Sequence, residues 1–313
     1  MKTLLIGATG LLGHALWRDW SQKPGWSVQG TSLSLPIPGL EALDVLDRKA
    51  LQGVFDRIRP EATVLLASDP FVDGCQADPK RSRPLNVDAA CAAAEEARRV
   101  GSTFVFFSSD YVFDGAKAPY CETDPVGPLN EYGKQKVEAE AGIARACPDH
   151  LILRISGLFG WELRRKNFVL QVLDRLDCGS DLVAAEDIRY HPTYAPNLSE
   201  VTAELLENGC RGVYHAVGAD EHSRYDFARL VAEVFGLDGS KIKKVRQAEL
   251  KLPAPRPANS SLSTQKLAGA VSAPLWGARQ ALEHMRDTRK DWEAYAASLG
   301  TLDPCGMKRE PVK

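Results

Sequence analysis

Short apolar runs alternate with longer amphipathic stretches along the first half of the chain. Residues 3–6 form a continuous apolar run that predicts a buried strand, and residues 11–21 carry apolar positions at helical spacing. The same reasoning predicts strands over 27–31, 63–67, 103–107 and 151–155 and helices over 88–100 and 131–145. Because strands that alternate with helices pair in parallel, the pattern predicts an α/β fold with a doubly wound parallel sheet, a Rossmann fold.

Beyond about residue 156 this alternation loosens. Prolines fall at 192, 196, 253, 255 and 257, and a polar stretch covers residues 236–244. We predict a dinucleotide-binding domain over 1–155 and a smaller C-terminal substrate domain over 156–300 that returns segments to the sheet. Residues 301–313 combine Pro, Gly and charge without periodicity, which predicts a flexible tail.

Composition excludes several classes of partner. The 39 Lys and Arg against 41 Asp and Glu give a net charge of -2, so no basic surface indicates nucleic acid or an anionic membrane. No apolar run reaches the length of a membrane span. The seven cysteines form no CxxC, which favours reduced thiols in the cytoplasm and argues against a structural metal. We therefore expect a cytoplasmic protein with a small-molecule ligand.

A glycine-rich turn lies between the first predicted strand and helix. Gly7 permits a tight turn, Gly10 lets the backbone approach a diphosphate, and Gly13 allows the helix to pack closely on the strand. The helix N-terminus would then face the anion. In this context the three glycines predict dinucleotide binding.

The end of the second predicted strand bears on which nicotinamide cofactor is bound. A carboxylate there would bind the ribose hydroxyls of NAD, but residues 29–33 contain no acid. This favours NADP, although NAD would also fit, because no Arg or Lys falls between Trp26 and Asp47. The hydroxyls of Thr31 and Ser32 are the local candidates for the phosphate.

The chain carries a hydroxyl, a phenol and an ammonium at the positions where a carbonyl-reducing enzyme needs them: Ser109, Tyr132 and Lys136. Tyr132 and Lys136 are spaced i, i+4 and so share one face of the predicted helix. We expect the ammonium to lower the tyrosine pKa and to bind the nicotinamide ribose. Ser109, at the end of the strand over 103–107, would orient the substrate carbonyl. A YxxxK pair alone is commonplace, but here it follows a glycine loop.

Four segments together resemble the extended short-chain dehydrogenase/reductases, specifically the dTDP-4-dehydrorhamnose reductase-like branch: residues 7–13, 108–115, 132–136 and 256–267. The resemblance implies an NADPH-dependent reductase of a nucleotide-linked 4-keto-6-deoxysugar, as in dTDP-rhamnose biosynthesis, with Ser109, Tyr132 and Lys136 as the catalytic triad. It implies substrate contacts from Asp110, Tyr111, Asn167, Arg256 and Asn259. Expected cofactor contacts are Gly7, Thr9, Gly10, Leu11, Leu12, Gly13, Thr31, Ser32, Asp44, Val45 and Ala67, together with Tyr132 and Lys136.

The chain departs from that branch at several positions. Gly157 stands where the reductases usually carry a tryptophan that can stack on a base or pack against a sugar. Phe159 and Trp161 are the candidates to replace it. Ala15 stands where some relatives carry a metal-binding glutamate, so we expect no metal, even if the chain forms a homodimer. The identity of the sugar stays open.

Two other functions remain. The chain also resembles the beta regulatory subunit of methionine adenosyltransferase, in which case NADP would be a structural ligand and the tail would dock a partner protein. An epimerase or dehydratase acting on a nucleotide sugar is the third alternative. A dehydratase would add an acid–base pair near the tyrosine, and here Asp110 is followed by no Glu.

Overall fold

The computed structural model describes residues 1–299 of the chain and contains an α/β sandwich. In chain order the strands are β1 (Lys2–Ile6), β2 (Ser27–Ser32), β3 (Leu40–Ala42), β4 (Ala62–Leu65), β5 (Thr103–Ser109), β6 (His150–Ile155), β7 (Leu158–Phe159), β8 (Leu182–Ala185), β9 (Arg189–Tyr190), β10 (Thr193–Tyr194), β11 (Gly212–His215), β12 (His222–Ser223) and β13 (Ile242–Val245). The helices are α1 (Leu11–Ser21), α2 (Arg48–Ile58), α3 (Val72–Ala77), α4 (Pro79–Arg83), α5 (Ala89–Val100), α6 (Glu131–Ala146), α7 (Phe168–Asp177), α8 (Ala195–Glu207), α9 (Arg224–Phe235), α10 (Gln265–Ala268), α11 (Ala278–Asp287) and α12 (Arg289–Ser298).

Seven of these strands form one parallel sheet in the order β11-β6-β5-β4-β1-β2-β3. The register aligns the strand ends, because Ile6 pairs with both Thr31 and Leu65 and Ser109 pairs with Ile155. Ligands of such sheets bind beyond the carboxyl ends of the strands. The predicted doubly wound Rossmann fold is confirmed.

Helices cover both faces of the sheet. On one face Leu4 and Phe104 pack with α2, α5 and α6, and on the other Leu5 and Val105 pack with α1 and α8. Alternate side chains of each strand therefore enter opposite cores, and both are apolar because both faces are covered.

A third core belongs to the C-terminal half of the chain. It is formed by buried side chains of α7, α9 and α11, such as Leu173, Phe227 and Leu282. Three two-stranded pairs, β7 with β10, β8 with β13 and β9 with β12, lie in the same half, whereas β11 joins the edge of the main sheet. The division at residue 155 stays a prediction, and the predicted tail over 301–313 lies outside the described residues.

The sequence pattern missed β3 and α2. Helix α2 is capped by Asp47, whose carboxylate accepts the backbone N–H groups of Lys49 and Ala50. Its buried positions, Leu51, Val54, Phe55 and Ile58, follow helical spacing. The cap and this spacing are the features by which the sequence could have predicted α2.

Helix α5 is preceded by a π-helical turn over Pro84–Asp88. No helix among residues 1–299 is long and apolar enough to cross a membrane.

Candidate active site

The glycine turn joins β1 to α1 at the carboxyl edge of the sheet. The backbone N–H groups of Gly7 and Ala8 donate to the carbonyl of Thr31 at 3.1 and 2.8 Å, which fastens the turn to the end of β2. Gly7 has a φ of +95°, and a Cβ there would lie 2.7 Å from the Ala67 backbone nitrogen. Both the conformation and the contact with the end of β4 therefore require glycine.

Gly13 leaves room for the backbone of the glycine turn, and Gly10 leaves room for a bound anion. A Cβ on Gly13 would lie 2.5 Å from the Gly7 carbonyl oxygen, so glycine there lets α1 pack against the turn. Gly10 is exposed and immediately precedes α1, and within residues 1–299 no side chain caps the first-turn N–H groups of that helix. Those groups are open to an anion. Leu12 is buried in the core, so it offers a ligand only its backbone.

The predicted adenosine contacts lie near β2 but differ in accessibility. The hydroxyls of Thr9 and Ser32 are 3.0 Å apart and hydrogen-bonded, whereas the Thr31 hydroxyl is buried and makes no hydrogen bond within residues 1–299. The exposed Asp44 carboxylate accepts the Leu46 backbone N–H at 2.9 Å. Val45 packs into the core beneath the sheet edge. Only Asp44 of the Asp44–Val45 pair thus presents its side chain to solvent.

Tyr132 and Lys136 lie on the inner face of α6, beside the carboxyl end of β5. Asn130 caps this helix by accepting the Gly133 backbone N–H at 2.9 Å. The Lys136 Nζ atom donates to the Phe107 carbonyl at 2.9 Å and lies 5.6 Å from the centre of the Tyr132 ring. The predicted shared face is confirmed by this arrangement.

Ser109 ends β5 and lies against the same cluster. Its hydroxyl donates to the Asp110 carboxylate at 3.0 Å and accepts the Tyr111 backbone N–H at 3.2 Å. The Tyr111 and Tyr132 rings meet edge to face with their centres 6.4 Å apart. The structure therefore brings Ser109 and Tyr132 to one place, although they are separated by the segment between β5 and α6.

The protonation states differ from the expectation. Burial lowers the pKa of Lys136 to about 8, while the Glu140 carboxylate one turn along α6 opposes that change. Burial, followed by the charge of Asp110, raises the pKa of Tyr132, and a hydrogen bond with Ser109 opposes the rise. The prediction that Lys136 lowers the tyrosine pKa is therefore wrong for this structure, because desolvation of the phenolate dominates.

Asp110 is the polar centre of a hydrogen-bonded cluster beside Ser109. It is buried, and its carboxylate accepts the hydroxyls of Ser109, Ser156 and Ser260, the second at 2.6 Å. Burial raises its pKa, while these hydrogen bonds act in the opposite direction. The Ser260 contact connects the loop after β13 to the end of β5, so the late sequence motif contributes directly to this cluster.

The position of the missing tryptophan is taken by a residue that the sequence did not indicate. Gly157 has a φ of +51°, and a Cβ there would lie 2.2 Å from Cε2 of Tyr190. Phe159 lies in the C-terminal core, as Tyr190 does, and Trp161 donates its ring N–H to the Met285 carbonyl at 2.8 Å. Tyr190, rather than either expected aromatic, fills the space beside Gly157.

Arg224 is a second residue that the sequence reasoning missed. Its guanidinium lies 4.8 Å from the Phe168 ring centre and 4.6 Å from that of Tyr190. Its charge also opposes the rise that burial causes in the pKa of Tyr111. The sequence marks Arg224 only as the first residue after the Ser223 helix cap, which carries no functional signal.

The other expected substrate contacts are occupied within the chain. Arg256 forms an ion pair with Asp73 at 2.9 Å and lies 5.9 Å from the Tyr111 ring centre, so it lies beside the cluster around Asp110. Asn259 donates to Glu221 at 3.2 Å and accepts the Ser261 N–H. Asn167 caps α7 and donates to the Gly160 carbonyl at 2.9 Å. The roles of Asn259 and Asn167 here are structural contacts, and direct substrate contact stays a prediction.

The fold and the residues at its carboxyl edge define an NAD(P)-dependent oxidoreductase of the short-chain dehydrogenase/reductase type. A family model described as the RmlD substrate binding domain matches residues 1–290, and the chain belongs to that family. This confirms the family resemblance found in the sequence.

Relatives of two kinds share this family resemblance. A dTDP-4-dehydrorhamnose reductase from Sinorhizobium fredii is 35% identical over 253 residues, covering 76% of this chain and 84% of its own. Methionine adenosyltransferase 2 subunit beta from Danio rerio is 30% identical over 273 residues, covering 85% and 84%. A solved dTDP-4-dehydrorhamnose reductase from Clostridium acetobutylicum has a TM-score of 0.85 at 27% identity and covers 93% of this chain and 100% of its own.

Proposed function

We propose that this protein uses NADPH to reduce the keto group of a nucleotide-linked 4-keto-6-deoxysugar, the reaction class of the dTDP-4-dehydrorhamnose reductases. The observation that carries the proposal is the meeting of Ser109, Tyr132 and Lys136 at the sheet edge that also holds the glycine turn. A carbonyl bound there would face both a proton donor and a dinucleotide site.

Tyr132 is the proton donor in this proposal. Its raised pKa keeps the phenol protonated near neutral pH, which is the form that reduction requires. NADPH, when bound, supplies the hydride. Ser109 orients the carbonyl oxygen and stabilises the negative charge that develops on it, and Tyr132 then protonates that oxygen. Lys136 would hold the nicotinamide ribose, and its ammonium places a positive charge beside Tyr132.

The cofactor is held by the glycine turn and the end of β2. The open N–H groups at the start of α1 suit a diphosphate, and Gly10, which has no side chain, lets the backbone approach it, while Gly7 and Gly13 give the turn its shape. The absence of an acid in residues 29–33 supports NADP over NAD.

The residues beyond Tyr132 suit an anionic nucleotide sugar. Arg224 places a guanidinium between two rings, and we assign it to the substrate diphosphate. Tyr190 packs on Gly157, where the reductases carry a tryptophan, and is itself buried in the C-terminal core. The sugar itself and the base on the nucleotide are left to experiment. A cytoplasmic location and a homodimer are further parts of the proposal, and light scattering on the purified protein tests the second.

Regulation of a partner enzyme is the second candidate function. The 30% identity with methionine adenosyltransferase 2 subunit beta over 85% of this chain supports it. In that case NADP would be a structural ligand and Tyr132 would have no catalytic role.

The deciding experiment is oxidation of NADPH, and in parallel NADH, with dTDP-, UDP-, GDP- and CDP-linked 4-keto-6-deoxysugars. We expect turnover with at least one sugar nucleotide, its loss in Tyr132→Phe, and its retention in the control Tyr225→Phe, because Tyr225 lies on α9 beside Lys244. Tight NADPH binding without turnover on any sugar would reject the reductase and favour the regulatory function.

A further inference from the structure

The end of β2 lacks a charged residue to bind the adenosine ribose or its phosphate. Residues 27–46 contain neither Arg nor Lys, and β2 ends at Ser32. In dinucleotide-binding folds this strand end is where an acid binds the 2′-hydroxyl of NAD or a nearby arginine binds the 2′-phosphate of NADP. A cation for NADP must therefore come from another part of the chain.

Arg164 reaches this position from the C-terminal half. It lies between β7 and α7, and its guanidinium donates to the hydroxyl of Ser34, two residues beyond the end of β2. Ser32 is in turn hydrogen-bonded to Thr9 of the glycine turn at 3.0 Å. Arg164 thus lies at the same corner of the site as the turn that faces the diphosphate.

The loop that carries Arg164 is held by contacts of the residues before and after it, Glu162 and Arg165. The Glu162 carboxylate accepts the backbone N–H groups of Lys166 and Asn167 at 2.7 and 2.6 Å. The neighbouring Arg165 is paired with Asp174 of α7. Arg165 is therefore neutralised by a carboxylate, whereas the partner of Arg164 among the described residues is a neutral hydroxyl.

We propose that Arg164 binds the 2′-phosphate of NADP and so determines the preference for NADP over NAD. A guanidinium can form two parallel hydrogen bonds with a phosphate. Arg164 is exposed, so its guanidinium is accessible to a phosphate that arrives from solvent. Because the arginine comes from the C-terminal half, cofactor binding connects that half to the sheet. The proposal rests on the proposed cofactor but not on any substrate.

The test is calorimetric titration of the full-length protein with adenosine 2′,5′-bisphosphate and with AMP, which differ only in the 2′-phosphate. We expect Arg164→Ala and Arg164→Gln to lower the affinity for the bisphosphate by about 10- to 100-fold, as for loss of a charged hydrogen bond, and to leave the affinity for AMP unchanged. The same variants should lower the affinity for NADPH but not for NADH. Lys166→Ala, an exposed cation on the same loop, is the matched control and should change none of these affinities.

Three results would overturn the proposal. They are equal binding of the bisphosphate and AMP by the unaltered protein, no selective loss in either Arg164 variant, and an equal loss in Lys166→Ala. Thermal melting of each variant checks that the fold is kept. Since no turnover is measured, failure of the proposed reductase activity would leave this result unaffected and would be recognised separately.

Discussion

The Tyr190 ring occupies the space directly above Gly157, where a Cβ would lie 2.2 Å from Cε2 of the ring. Residue 157 also has a φ of +51°, which a side chain disfavours. A tryptophan at this position and Tyr190 in its present place are therefore mutually exclusive. The loss of one aromatic and the position of the other form a single structural change.

Gly157→Ala should destabilise the protein, because it adds both backbone strain and a clash with Tyr190. We expect a loss of about 1–3 kcal/mol in the free energy of unfolding, measured by denaturant titration. Gly53→Ala is the matched control, since a Cβ there meets nothing within 4 Å and alanine favours the helix. A Gly157→Ala variant as stable as the unaltered protein would show that the ring moves aside freely.

Lys136 should give the reductase a pH limit. Since burial lowers its pKa to about 8, the ammonium is lost as the pH rises through about 8 rather than near its ordinary value of 10.5. We therefore expect kcat/KM to fall above that pH. Lys136→Met should lower kcat by about 100-fold and remove this pH dependence.

Lys134→Met provides the control on the same helix. Lys134 is exposed and paired with Glu131, so its variant should keep both the rate and the pH profile. An unchanged alkaline limb in Lys136→Met would assign that limb to another group.

Arg224→Met should weaken the sugar nucleotide selectively. Loss of a charged contact predicts an increase in KM for the sugar nucleotide of about tenfold or more, with the Kd for NADPH unchanged. Arg224→Lys should recover only part of this, because an ammonium does not stack flat between Phe168 and Tyr190. Arg229→Met, on the exposed side of the same helix, is the control. An equal loss of NADPH affinity would indicate general damage to the fold.

His14 should make the fold sensitive to acid. It is buried on α1 against the rings of Trp292 and Tyr295, and desolvation, with a smaller contribution from Arg18, lowers its pKa from 6.5 to about 4. A histidine whose folded pKa lies below its unfolded pKa stabilises the fold above 6.5, and this contribution is lost as the pH falls from 6.5 towards 4.

The corresponding variant is His14→Phe, which keeps a ring between α1 and α12. Between pH 7 and 5 it should lose about 1–2 kcal/mol less stability than the unaltered protein. Chemical denaturation at the two pH values measures this difference. Identical pH dependence in both proteins would place the acid sensitivity elsewhere.

The sequence by itself determined the parts of the protein that depend on short spacings. Each of these features depends on residues that are close together in the chain, so each can be recognised locally. They are the periodic spacing of apolar residues in the strands and helices, the glycine turn, and the i, i+4 pair Tyr132 and Lys136. The strand ends then fixed Ser109 near that pair, since parallel strands present their carboxyl ends at one edge. Helix α2 was equally local, and its polar surface concealed the spacing of its buried residues.

Only the tertiary structure decided what lies around those residues. Tyr190 fills the space beside Gly157, and Arg164 contacts Ser34, which is 130 positions away in the chain. No local pattern encodes such meetings, because they depend on how distant segments pack. The Tyr132 pKa is decided in the same way: the sequence supplies the nearby lysine, but burial, which arises only when the chain folds, raises the pKa instead of lowering it.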